Sequence, residues 1–189
     1  ALLLHINDCL PLIDANTSAM CLRKANNYFQ SIIDDNQIKK VIIGLTWYSK
    51  VKIDKNNRSI EDSDFNSRDM YLINLIDQLT ANKKEVYLIG PLNVPNFDIS
   101  REVRKLAFGK IKKINLSISK NKFLEENSKS IETFSKKLGP NFLRPDEILC
   151  NEKECFFGDS NNFFFSDSNH LSKYGSTKIF KLFNNINFN

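Results

Sequence analysis

Residues 40–46 read Lys-Val-Ile-Ile-Gly-Leu-Thr, an almost unbroken apolar run too short for a typical helix. A strand that is apolar on both faces must be covered on both. That is the signature of a parallel sheet between helical layers, not of a half-exposed hairpin. The flanking chain agrees. Residues 18–34 place Met20, Leu22, Ala25, Tyr28, Phe29, Ile32 and Ile33 at helical spacing, and residues 69–82 do the same with Met70, Leu72, Ile73, Leu75, Ile76 and Leu79. Glu85 to Gly90 reads as a second buried strand stopped by Gly90-Pro91, and Leu2 to Ile6 as another that ends at Asn7-Asp8. The polar stretch 50–66 reads as a loop. A short helix is expected near 101–108. A polar amphipathic helix over 122–138 follows, closed by Gly139-Pro140. Short strands are expected at Phe142-Leu143 and Phe163-Phe164-Phe165, then a last helix over 173–184 with Ser172 as its N-cap.

Strands alternating with helices give an α/β fold with a mostly parallel sheet. The 189 residues suit a single domain, without internal repeat or linker. In such sheets chemistry gathers in the loops beyond the carboxyl ends of the strands. The loops after Ile6, Thr46, Gly90 and Phe165 are therefore where a site is expected.

Charge narrows the partners. Lys and Arg number 27 against 22 Asp and Glu, a net +5. The lysine pairs 39–40, 83–84, 112–113 and 136–137 are spread along the chain, each beside apolar or acidic residues. A nucleic-acid binder would concentrate charge in one stripe with aromatics interleaved. The expectation is a solvated surface and no nucleic-acid partner, with weak attraction to an acidic polysaccharide or lipid as the minor alternative. No run approaches the roughly 18 apolar residues of a membrane span, and Ala1-Leu2-Leu3-Leu4 lacks the length and basic flank of a signal peptide.

The four cysteines form two local pairs, Cys9 with Cys21 and Cys150 with Cys155. Close, even pairing suits short-loop disulfides and an oxidising compartment. Free buried thiols and a zinc site are the alternatives. Zinc prefers tighter spacing and nearby histidines, whereas only His5 and His170 are present. His5, at a strand end, reads as a core or rim residue.

One segment carries chemistry: Phe165-Ser166-Asp167-Ser168-Asn169-His170-Leu171-Ser172-Lys173-Tyr174-Gly175. It sets a carboxylate and an imidazole three residues apart at a strand-to-helix junction. Hydrolytic triads need an imidazole to take a proton from a nucleophile and a carboxylate to hold its tautomer. Taken alone, Asp-x-x-His equally suits a helix-capping Asp beside a surface His. The surrounding pattern, Asp167, His170, Leu171, Ser172 and Gly175, resembles the closing block of SGNH/GDSL-type hydrolases. It is most similar to that of the SGNH domain fused to membrane acyltransferases that O-acetylate bacterial surface polysaccharides. Cys9-Leu10-Pro11-Leu12, the 41–47 strand ending in Trp47, Ile89-Gly90-Pro91 with Pro95, and the Cys150–Cys155 loop match the same family in order.

The resemblance implies a flavodoxin-like three-layer fold. It also implies that His170 is the general base and then acid, Asp167 its orienting partner, and a serine the acyl carrier. It implies no cofactor and no metal. The partners would be an acyl donor, a surface glycan such as lipopolysaccharide O-antigen, and an acyltransferase transmembrane domain in the same parent protein. The place would be the periplasm, tethered to the inner membrane by a segment outside this sequence. The family's nucleophile sits in a Gly-Asp-Ser block after the first strand, and no serine lies upstream of Ser18 in that context. Gly158-Asp159-Ser160 falls directly before the Asp-His block and reads as a turn. Gly44-Leu45-Thr46-Trp47 has no asparagine for an oxyanion hole, and Trp47 reads as a packed wall. The expectation is thus an amino-terminally incomplete domain lacking its first strand, inactive by itself. A secreted carbohydrate esterase and a degenerate, non-catalytic glycan-binding domain are the alternative readings.

Overall fold

Parallel pairing does organise the sheet. In the computed structural model, which describes residues 19–45, 47, 51–53, 59–61, 65–184, 186 and 187, the chain through Leu88 makes one compact unit and Ile89 to Asn187 a second. The first unit runs α1 (Ala19–Asp34), β1 (Lys40–Ile43), β2 (Val51–Ile53), β3 (Ser59–Glu61), α2 (Phe65–Ala81) and β4 (Glu85–Ile89). Strands β1 and β4 pair in parallel, Lys40 opposite Glu85 through Ile43 opposite Leu88. A parallel pair needs a long crossover, and α2 lies in that connection. Its Leu72, Leu75, Ile76 and Leu79 are all buried, the i, i+3, i+4, i+7 stripe expected of a helix laid on a sheet. Lys84 is buried as well. Its ammonium donates to the carbonyls of Asp35 (2.7 Å) and Ile38 (3.0 Å), which replace water around the charge and fix the start of β4 to the turn after α1.

Two expectations change in this unit. The strand expected to reach Thr46 ends at Ile43, although Trp47 is buried as expected of a packed wall. The stretch expected as a loop holds the antiparallel pair β2–β3, with Val51 opposite Glu61 and Ile53 opposite Ser59. Three residues per strand are too few to show an alternation in the sequence. The strand expected over 2–6, Cys9 of the Cys9–Cys21 pair, the Cys9-Leu10-Pro11-Leu12 match, His5 and Thr46 lie outside the described residues.

The second unit runs α3 (Ile99–Ala107), β5 (Ser117–Ser119), α4 (Lys120–Leu138), β6 (Phe142–Leu143), α5 (Asp146–Leu149), β7 (Glu154–Phe156) and α6 (Lys173–Ile179), with single 3₁₀ turns at Gly139–Asn141 and Phe180–Phe183. Directly after β4, the Gly90 amide donates to the Leu143 carbonyl of β6 (2.8 Å). A Cβ at Gly90 would stand 2.9 Å from the Phe142 ring, so the close approach requires glycine there. Antiparallel β5–β7 extends into a bridge between Cys150 and Cys155, whose sulfurs are bonded (2.08 Å). Of the three readings of that pair, the disulfide is the one observed. Asp146 of α5 is fully buried and takes a two-pronged contact from Arg144, Nε to Oδ1 at 2.7 Å and Nη2 to Oδ2 at 2.5 Å. The core gathers Ile99, Leu149, Phe157, Phe164, Phe165 and Ile179. Phe157 packs edge-on against both Phe97 (5.9 Å) and Phe165 (6.3 Å).

Phe163–Phe165 is not a regular strand. Phe163 bridges Gly158 and Phe165 bridges Leu171, each as an isolated antiparallel pair. Turns on both sides leave no length for a ladder.

Candidate active site

One tight loop and a helix cap present the Asp-His pair. Phe164 and Phe165 are buried, so the chain is anchored up to residue 165 and emerges at Ser166. It returns at once. Ser166 N–H donates to the His170 carbonyl (2.8 Å), Leu171 bridges Phe165, and Ser172 N–H donates to the Phe164 carbonyl (2.9 Å). Residues 166–170 are thereby pinched into a tight loop. Helix α6 starts immediately after it, and the Ser172 hydroxyl does two jobs. It donates to the Phe163 carbonyl (2.7 Å) and accepts from the Gly175 amide (3.0 Å), the N-cap expected from the sequence. Gly175 lets α6 begin this close. A Cβ there would overlap the Phe164 carbonyl oxygen and stand 2.9 Å from Phe164 Cα.

Within the loop, one oxygen of Asp167 works on the backbone and the other on the imidazole. Oδ1 accepts from the amides of Asn169 (2.9 Å) and His170 (2.8 Å). Oδ2 lies 2.8 Å from His170 Nδ1. The two backbone amides, then the imidazole, hold the Asp167 carboxyl down at about 2, so it is ionised throughout the physiological range. A carboxylate at Nδ1 selects the tautomer with its proton on Nδ1, which leaves the Nε2 lone pair free to accept. Nε2 has no partner among the described residues, and the His170 side chain is 73% exposed. The arrangement is that of a general base oriented by a carboxylate.

Ser160 lies in the turn joining Gly158 to Phe163. Asp159 Oδ1 accepts from the amides of Asn161 (3.1 Å) and Asn162 (3.0 Å), and its Oδ2 accepts from the Tyr174 hydroxyl (2.7 Å). Those bonds, the Tyr174 hydroxyl first, pull the Asp159 carboxyl down to about 2. The Asp of this Gly-Asp-Ser is therefore occupied in holding the turn and α6. Beside the Asp-His loop, an open groove of about 570 Å³ runs between α3 and the start of α6. Ser100, Arg104, Ser166, Lys173 and Tyr174 stand on its walls. Asp167 and His170 are not among its lining residues, and Ser166 is the link between groove and pair. Ser100 fixes that link by donating to the Ser166 carbonyl (2.9 Å). The sequence offered no cue to this groove, because its walls come from segments some 60 residues apart. Asn93 was also missed. It is fully buried and donates Nδ2 to the Phe156 carbonyl (2.9 Å), while its Oδ1 has no partner among the described residues. A polar residue between Pro91 and Pro95 was the only signal.

Residues 1–185 match the family model of the SGNH domain fused to AT3 domains. The chain belongs to this family. The SGNH domain also matches a solved structure, the periplasmic domain of the lipopolysaccharide acetyltransferase of Salmonella ser. Paratyphi A, with a TM-score of 0.65 and 20% identity, over 94% of this chain and 68% of that one. That likeness establishes the fold, a mixed α/β SGNH domain with a mostly parallel sheet. A search of curated proteins found no match. Among the described residues of the SGNH domain, no helix is long and apolar enough to cross a membrane, and no group of His, Cys, Asp and Glu could hold a metal ion.

Proposed function

We propose that this SGNH domain serves an O-acyltransferase that moves an acetyl group from an acyl donor to a hydroxyl of a cell-surface polysaccharide such as lipopolysaccharide O-antigen. Supporting this are membership of a family described by its fusion to AT3 domains and the likeness to a lipopolysaccharide acetyltransferase domain. The observation that carries it is the 2.8 Å contact of Asp167 with His170 Nδ1, which leaves Nε2 open. On this reading His170 is the catalytic base and Asp167 its positioning residue. A serine nucleophile attacks the donor carbonyl as Nε2 takes the hydroxyl proton. That proton passes to the departing donor group, leaving an acyl-serine. A sugar hydroxyl then attacks the acyl-serine. Nε2 takes the hydroxyl's proton and returns it to the serine. The working place is the periplasm, with an acyltransferase transmembrane domain in the same parent protein.

The test is made in the parent protein, with acetyl groups on the surface polysaccharide read by NMR. His170→Ala and Asp167→Ala are expected to abolish acetylation, and Asp167→Asn to lower its rate by about 10⁴ through the wrong tautomer. Undiminished acetylation with His170→Ala would overturn the proposal. Ser160→Ala is expected to leave acetylation unchanged, because Ser160 sits in the turn that Asp159 holds closed. Loss of acetylation with Ser160→Ala would instead place the nucleophile at Ser160.

A further inference from the structure

The net charge is less evenly spread than the lysine pairs imply. Residues 99–113, which are α3 and the loop after it, contain Arg101, Arg104, Lys105, Lys110, Lys112 and Lys113 against Glu102 alone. That is +5 in fifteen residues and equals the excess of the whole chain, so the remaining residues balance. The same segment shows apolar side chains to solvent. Phe108 is 77% exposed, Leu106 41% and Val103 37%. Of the helix itself only Ile99 is buried. Ile99, Val103 and Leu106 share one helical face, so the stripe that docks the first turn into the core continues outward uncovered. The helix ends in a tight reversal. Gly109 takes φ +66 and donates to the Leu106 carbonyl (3.0 Å), and Lys110 N–H donates to the Lys105 carbonyl (2.8 Å). That closure reverses the chain directly after the exposed Phe108, and Lys110, Lys112 and Lys113 follow it within five residues.

We infer that α3 and residues 108–113 form a docking surface for an anionic lipid membrane. The occupant follows from the pairing of the two features. An amphipathic helix with Arg101, Arg104 and Lys105 opposite the partly exposed Val103 and Leu106, and with Phe108 exposed at its end, has the chemistry of a helix lying in the headgroup layer, where the apolar side chains enter the acyl boundary and the cations meet lipid phosphates. A soluble acidic polysaccharide would be met by the cations alone and would leave Phe108 without a role. The inference stands apart from the Asp167–His170 chemistry and goes beyond the proposed transferase activity, because it assigns how the domain is held at a surface.

The experiment uses the 189-residue chain and sedimentation with vesicles. One set contains 30% phosphatidylglycerol in phosphatidylcholine and the other phosphatidylcholine only. Binding to the anionic vesicles that falls with salt is expected, with little to the neutral ones. Each basic residue near such a surface contributes about fivefold in affinity, so the triple change Lys110→Gln, Lys112→Gln, Lys113→Gln is expected to weaken binding about a hundredfold at low salt. Phe108→Ser is expected to weaken it without altering the melting temperature, since the ring is exposed. A charge-matched triple elsewhere, Lys122→Gln, Lys136→Gln, Lys181→Gln, is expected to cost far less. Equal loss from both triples, unchanged binding with Phe108→Ser, or binding to a soluble acidic polysaccharide but not to vesicles would each overturn the inference.

Discussion

Replacing Gly175 by alanine sets two well-measured effects against each other at the junction that presents His170. Alanine is the better helix former by about 1 kcal/mol, and α6 would gain that if there were room. There is not. The new Cβ would lie 2.7 Å from the Phe164 carbonyl carbon and overlap its oxygen, and a backbone group cannot rotate away as a side chain could. Restoring an ordinary separation of about 3.5 Å from that oxygen requires α6 to retreat by about 1.6 Å. That retreat stretches two bonds, from the Ser172 amide to Phe164 (2.9 Å) and from the Ser172 hydroxyl to Phe163 (2.7 Å). Overpacking costs about 1–3 kcal/mol and each lost bond about 1 kcal/mol. After the propensity gain, the net destabilisation is about 2–4 kcal/mol. For a chain of this size each kcal/mol lowers the melting temperature by about 2–4 °C, so circular dichroism is expected to show a fall of about 5–15 °C. Because the same bonds pinch the 166–170 loop, faster exchange of the Ser166 and Ser172 amides is expected to accompany it. A Gly175→Ala protein that melts at or above the parent temperature would refute the reasoning, since propensity would then have outweighed the clash.

Other perturbations read other contacts. Arg144→Ala leaves the fully buried Asp146 carboxylate without its two-pronged partner and is expected to cost about 3–5 kcal/mol in urea unfolding. Arg144→Lys, which cannot make both contacts, is expected to recover only part of that loss. Replacing Cys150 and Cys155 together by serine opens a six-residue loop and is expected to cost about 2 kcal/mol, visible as a melting shift that reducing agent reproduces in the parent. Asp167 is held ionised in the fold. Its share of loop stability is therefore complete above the ordinary carboxylate value of about 3.9 and disappears as pH falls through about 2. The Asn169 and His170 amides are expected to stay protected by NMR from neutral pH down to about 4 and to lose that protection only below it. Loss of their protection between pH 7 and 5 would contradict the assignment.

The legible parts of this molecule were those where chemistry repeats along the chain. Leu72, Leu75, Ile76 and Leu79 announce their helix because four buried contacts recur at its own period. Lys40–Ile43 and Glu85–Ile89 announce a parallel pair because their runs are almost unbroken apolar, although Ile42 stays 38% exposed and the expected cover on both faces of β1 is not complete. Asp167 and His170 were legible because their partners are each other, three residues apart. Ser172 was legible because a cap acts on its own helix. Contacts across long separations were not. Lys84 looks like a surface lysine until the carbonyls of Asp35 and Ile38 converge on it. The 163–165 run looks like a strand until turns on either side cut its pairing to single bridges.

The same division separates what belongs to the sequence from what belongs to the tertiary structure. The sequence by itself determined the α/β class, the family pattern and the nearness of Asp167 to His170, because these rest on local periodicity and on neighbours within one turn. Only the tertiary structure decided that the His170 imidazole meets the carboxylate through Nδ1 and leaves Nε2 open, that Gly158-Asp159-Ser160 is committed to a turn by Tyr174, and that Val103, Leu106 and above all Phe108 stay exposed. Each of these depends on which surfaces meet when the chain closes, and the burial that decides it is a property of the packed molecule.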